Sequence, residues 1–272
     1  LDTDATGKKI TGIEIDHNGE RKTVVAKTYV LATSAINSAA MLLRSANDKH
    51  PNGLANSSGL VGRGFMMHVN SGMLAVRPKT NPTIFQKTLA IHDFYGADSP
   101  AGRALGAMQL RGKVRPEMLS GNANPIVRVF GKAIAERSVD WWLMTEDLPD
   151  QDNRVSVDEA GRIHLARRST NMSAHSELIA RAKGMMHRAG FPLCLVDLRG
   201  ARAIQHQCGT IRFGDNPDNS VLDQWCKAHE VNNLRVIDAS FFPSAAAVNP
   251  SLTLLAQALR ASERLRQKLT GA

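Results

Sequence analysis

Aromatic side chains are scarce. Two Tyr, three Trp and eight Phe make up 5% of the 272 residues. They are not interleaved with basic clusters, so the stacking platform that single-stranded nucleic acid needs is missing. No run of five like charges occurs either. The net charge of +9 is therefore dispersed, which speaks for solubility and against a nucleic-acid partner. Cysteine is equally sparse, at positions 194, 208 and 226. An odd count without C-x-x-C spacing supports neither a disulfide framework nor a structural zinc site. Asp223, Cys226 and His229 lie close in sequence but stand alone in a polar turn, so no metal is expected. No apolar stretch approaches 18 residues, so no helical membrane span is expected in this chain. A complete G-x-G-x-x-G is also missing. Gly62-Arg63-Gly64 follows a loop, not a strand, and lacks the third glycine. The first residue is Leu and the chain opens in mid-pattern, which suggests the back part of a longer protein.

What is present is enough to fold. Hydrophobic residues make up 43% of the chain, so a sizeable core can form. Lys9–Asp16 alternates, His17-Asn18-Gly19-Glu20 supplies an Asn-Gly turn, and Arg21–Ala32 returns as a strand. Its end, Tyr29-Val30-Leu31-Ala32, is continuously apolar, as suits a strand covered on both faces. Thr33 or Ser34 can cap the helix predicted over Ala35–Ala46. A Gly- and Asn-rich loop follows. From about 72 to 200 the pattern consists of short β-like runs: Gly72–Val76, Ile126–Phe130, Trp141–Met144, Arg154–Val157 and Ile163–Ala166. Asp158-Glu159-Ala160-Gly161 joins the last two as a hairpin turn. One helix is predicted over Asn171–Arg188, stopped by Gly190 and Pro192. Near the end, Leu234–Asp238 reads as a buried strand. Asn249-Pro250 then opens a helix to about Lys268, with Leu252, Leu255 and Leu259 on one face.

Two stretches can carry chemistry. His206-Gln207-Cys208-Gly209-Thr210 places an imidazole beside glycine, which permits close approach of backbone to a ligand. Asp238 to Ser251 ends a strand and enters a helix whose free N–H groups and positive dipole end suit an electron-rich ligand. On the residues alone, Asn249 can equally be a plain helix cap.

Three stretches together resemble the glucose–methanol–choline family of flavoprotein oxidoreductases. Tyr29–Leu43 is similar to the family's second signature, with Ser34 where Gly is usual and Ala39 where Pro is usual. His50–Gly62 with Met67-His68 resembles its sugar- and polyol-type dehydrogenases. His206–Arg260 follows the family's C-terminal domain in order: His-x-x-Gly-Thr, Ser220-Val221-Leu222-Asp223, Asn233 to Ser240, Pro243, and Asn249-Pro250-Ser251-Leu252-Thr253. The resemblance implies FAD as cofactor and an alcohol, sugar or polyol as substrate, with the electron acceptor left open. It implies that His206 is the active-site base and Asn249 its partner at the substrate oxygen. Asp238 and Ala239 match positions on the ribityl and phosphate side of FAD. Pro250 and Ser251 match contacts to the flavin ring, and Thr33, Ser34 and Ala35 the strand-to-helix turn near the cofactor. The expected fold is an incomplete, discontinuous α/β FAD-binding domain (1–71 and 201–272) plus an α+β substrate domain with a mainly antiparallel sheet (72–200). An FAD-containing lyase of the same fold and a non-catalytic binding module remain alternatives.

Overall fold

The computed structural model describes residues 1–84, 87–96, 98–99, 101–120, 125–198 and 205–271. Strands β1 (Asp2–Thr3), β2 (Ile10–His17) and β3 (Glu20–Val24) form a small antiparallel sheet. Asn18 (φ 58°) and Gly19 (φ 81°) close its β2–β3 turn, both with the positive φ that a type I′ turn requires. The strand expected over 21–32 is broken. After β3 the chain leaves the sheet and re-forms as β4 (Tyr29–Leu31), because β4 pairs elsewhere. Helix α1 (Ala35–Arg44) follows.

Next in order come β5 (Val69–Val76), β6 (Ala90–Ile91), β7 (Ala107–Leu110), α2 (Pro116–Leu119), α3 (Pro125–Val129), α4 (Gly131–Arg137) and β8 (Ser138–Thr145). The chain continues through β9 (Arg154–Val157), β10 (Ile163–Ala166), α5 (Met172–Arg188), β11 (Leu193–Asp197), β12 (Leu234–Val236) and α6 (Ser251–Thr270). The largest sheet is antiparallel throughout, in the order β11-β5-β8-β7-β6. Residues alternate between its faces with period two. Met73, Ala75, Met108, Trp141 and Leu143 pack against Leu178, Ala182 and Met186 of α5. Leu74 and Val76 face the other way, towards Val114, Leu119, Val127 and Ile134 around α2–α4. Covered on both sides, β5 is buried at all eight positions. The β-like run expected at Ile126–Phe130 is instead helical, with Pro125 in the first helical position that its fixed φ suits.

A second core gathers the two ends of the chain. β12 pairs with β4 in parallel, Leu234 opposite Tyr29 and Val236 opposite Leu31. Leu42 of α1, Phe65 to Met67, Cys208, Ile211 and Phe241 complete it. The β9–β10 hairpin forms where the Asp158–Gly161 turn predicts it. Its Val155 packs in this second core beside Leu42, apart from the large sheet. The molecule thus combines mixed α/β structure with antiparallel sheets.

Candidate active site

The His-x-x-Gly-Thr segment is fastened at every residue after its histidine pair of positions. Cys208 and Met66 exchange two backbone hydrogen bonds of 3.0 Å each, an isolated antiparallel bridge. The Gly209 amide donates to the Ala239 carbonyl at 3.1 Å, and the Ile211 amide to that of Ser240 at 3.0 Å. Gly209 has φ +85°, and a Cβ there would lie 2.3 Å from Met66 Cε and 2.6 Å from the Gly64 carbonyl oxygen. Only glycine fits. Thr210 Oγ1 donates to the Ala35 carbonyl at 2.7 Å, tying the segment to the start of α1. His206, two residues beyond the bridge, is half-buried with φ +51°.

The strand-to-helix turns converge on the same place. Asp238 is buried and turned inward. Ser38 Oγ of α1 donates to its Oδ2 at 2.5 Å, while its Oδ1 accepts from the Ser240 amide at 2.8 Å and from Ser240 Oγ. Its carboxylate therefore fixes the 3-10 turn Ala239–Phe241 and leaves Ala239 half-buried at the surface of the turn. Thr33 Oγ1 meets Ser38 Oγ at 2.8 Å. Neither Thr33 nor Ser34 caps α1 through its side chain, contrary to the sequence expectation. Ser34 instead adopts φ 80° and ψ 162°, and both residues are exposed while Ala35 is buried. The first-turn N–H groups of α1 are left without a side-chain cap.

Asn249 is likewise no cap. Helix α6 starts at Ser251 with Pro250 in the capping position and no side-chain cap bond. The amide of Asn249 is exposed, and its Oδ1 accepts from Gln109 Nε2 at 2.9 Å. Gln109 belongs to β7 and stands opposite Trp142 on the large sheet. Thr33, Ser38, Asp238, Ala239 and the His206 segment are thus joined in one hydrogen-bonded cluster, whereas Asn249 is tied to the sheet. With Oδ1 engaged, the Nδ2 group of Asn249 is the one left to donate.

Electrostatics favour a neutral imidazole. Burial, aided by the positive charge of Lys87, holds the pKa of His206 below its ordinary value. Cys208 is pushed up to about 12 by burial and then by Asp147, so its thiol is inert. Two residues escaped the sequence reading of the site. Gln109 reaches Asn249 only through sheet register. His68 was visible as part of a motif but without a role, and its ring meets that of His206 edge-on, centroids 4.7 Å apart.

These residues fit FAD. The backbone of Ser34 takes a conformation that glycine prefers, where a phosphate approaches a chain most closely. Uncapped helix starts follow it and Asn249.

Residues 149–258 match the family model described as GMC oxidoreductase. The chain is 30% identical to 2-methyl-1,2-propanediol dehydrogenase of Mycolicibacterium austroafricanum, over 97% of this chain and 52% of that protein. It is 31% identical to paromamine 6'-oxidase of Streptomyces fradiae, over 88% of this chain and 45% of that one. It therefore spans about half the length of the curated relatives it matches. In fold it resembles pyridoxine 4-oxidase from Mesorbium loti, with a TM-score of 0.67 at 18% identity, covering 96% of this chain and 55% of that one. Sequence signatures, family model and fold agree: the chain carries the C-terminal domain of the GMC oxidoreductases and belongs to that family.

Proposed function

We propose that this chain is the C-terminal half of an FAD-dependent oxidoreductase that oxidises the CH–OH group of an alcohol, most readily a sugar or polyol. FAD is the cofactor of the family. Residues 1–71 and 201–272 then supply two pieces of the FAD-binding domain, with the β9–β10 hairpin packed in their core, and the rest of 72–200 the substrate domain. The names of relatives, a 2-methyl-1,2-propanediol dehydrogenase and a paromamine 6'-oxidase, support an alcohol or sugar substrate. The observation that carries the reading is the His206 imidazole, half-buried, held by a fastened loop and kept neutral.

Oxidation of an alcohol removes a proton from oxygen and a hydride from carbon. Bound FAD supplies the hydride acceptor. His206 accepts the hydroxyl proton as general base, an effect of about 10²–10⁴-fold. Asn249, its Oδ1 occupied by Gln109, donates through Nδ2 to the same oxygen and fixes its orientation. The positive end of α6, directly after Asn249, favours negative charge nearby. Asp238 and Ala239 stand on the phosphate and ribityl side, the Thr33-Ser34-Ala35 turn approaches the cofactor, and Pro250 and Ser251 contact the flavin ring. The Asp238 carboxylate, already engaged within the chain, contributes by shaping the Ala239 backbone.

The test is anaerobic stopped-flow reduction of the flavin by alcohol in the full-length enzyme. His206→Ala slows that step at least about 10²-fold while FAD stays bound. An unchanged rate removes His206 from the mechanism.

A further inference from the structure

His68 ends the loop that runs into β5, and it is almost wholly buried, at 1% exposure. It does not reach His206 by accident of packing. The bridge pairs Met66 with Cys208 in antiparallel register. Two residues beyond the bridge on each segment, in opposite directions, stand His68 and His206, whose rings are in contact. Their rings meet at an interplanar angle of 73°.

The hydrogen-bond inventory of the pair is unusual. His68 Nδ1 lies 3.0 Å from the carbonyl oxygen of Ala246. A carbonyl only accepts, so Nδ1 carries the proton. Burial and the neighbouring His206 lower the His68 pKa to about 4, so the ring is neutral and Nε2 is a bare acceptor. Among the described residues that Nε2 is buried without a hydrogen-bond partner, although the Val248 backbone, like that of Ala246, acts on the ring to raise its pKa. His206 Nδ1 is likewise buried without a partner among the described residues. Buried polar atoms left unpaired are rare in folded proteins, and these two belong to rings in contact. One is an acceptor. The two atoms are not bonded to each other directly, so the other becomes the donor through one bridging water if His206 is protonated on Nδ1. The opposite tautomer of His206 leaves two buried acceptors on contacting rings with no donor between them, which is unfavourable.

We propose that His68 is a positioning residue that holds His206 in the Nδ1–H tautomer and so reserves Nε2 as its basic nitrogen. The part of this concerning the base rests on the proposed function of His206; the tautomer itself does not. His68 is too buried to touch substrate, so it acts through His206. The anchor on Ala246, a residue in left-handed conformation (φ 54°) three positions before Asn249, couples His68 to the segment that carries the second active-site side chain.

Three substitutions in the full-length, FAD-loaded enzyme separate the functions of the ring. His68→Asn retains a donor for the Ala246 carbonyl but has no atom where Nε2 stood. His68→Gln can place an acceptor there. His68→Phe keeps the volume and neither polar atom. The expected result is a flavin reduction rate constant about tenfold lower in the Asn and Phe variants, an unchanged dissociation constant for alcohol, and recovery of most of the rate by Gln. Wild-type rates in Asn and Phe overturn the proposal, and so does an equal loss in all three. A second readout needs no His68 variant to fold. The tautomer-sensitive ¹⁵N spectrum of histidine-labelled enzyme, assigned by the signals lost in His206→Gln, shows the His206 proton on Nδ1. A proton on Nε2 overturns the proposal. If His206→Ala leaves flavin reduction unchanged but the Nδ1–H signal is present, the reading of His206 as base has failed and the histidine pairing stands.

Discussion

Ser34, with φ 80° and ψ 162°, occupies a backbone region that is nearly reserved for glycine and costs other residues about 1–3 kcal/mol. The family signature has glycine at this position, so the sequence already marked the place where the chain is bent hardest. Ser34→Gly relieves the strain and forfeits about 0.5–1 kcal/mol of chain entropy, leaving a net gain of about 1 kcal/mol. Its urea midpoint rises with an unchanged slope, and Ser34→Ala, equally strained, gives no such rise. At the other end of the site, Gln109 sets which face of the Asn249 amide is offered. Gln109→Glu cannot donate to Oδ1. A carboxylate there attracts the NH₂ group instead and turns the oxygen of Asn249 towards the substrate. Flavin reduction should then fall more than in Gln109→Leu, which merely frees the amide at about tenfold loss for one hydrogen bond. Equal rates for Gln109→Glu and wild type would mean that Asn249 is oriented by something else.

Elements were legible where a local signal governs them. The β2–β3 and β9–β10 hairpins follow from Asn18-Gly19 and Asp158–Gly161, and the end of α5 from its Gly190 and Pro192 stop. The run Ile126–Phe130 reads as β-like because Ile126, Val127 and Val129 also suit a strand. Its place over the sheet beside α4, with Pro125 at the helix start, makes it helical. The end of β3 misled for a similar reason, since an apolar run does not tell which partner strand receives each half. At the site, His206 and the strand-to-helix turns lie in contiguous motifs and could be placed from sequence. Asn249 suits a capping position by type, but Pro250 takes that position and the Asn249 amide oxygen accepts from Gln109 instead. Gln109 and the pairing of His68 with His206 depend on register between segments about 140 residues apart, for which no local pattern exists.

At the scale of the molecule, the two cores are finished to different degrees. The large sheet is covered on both faces. The β4–β12 pair is a parallel sheet of two strands, an arrangement normally found only inside larger sheets with both faces covered. Val30 is 47% exposed on it. Helix α6 buries Ala261 in the core and leaves Leu252, Leu255 and Leu259 exposed by 81%, 59% and 74%. An apolar stripe of that kind marks a contact surface, and half the length of the relatives lies outside this chain. The fragment reading assigns that stripe to the remaining half of the FAD-binding domain. It makes opposite demands on one pair of substitutions. In the 272-residue chain alone, Leu255→Lys with Leu259→Lys should reduce binding of a hydrophobic dye and self-association, with helix content unchanged. In the full-length enzyme the same pair should lower the ratio of bound FAD to protein, because charges are then buried at the contact. Full flavin occupancy in that double variant would mean that α6 presents its leucines to solvent in the whole enzyme, and the stripe would no longer support a missing half.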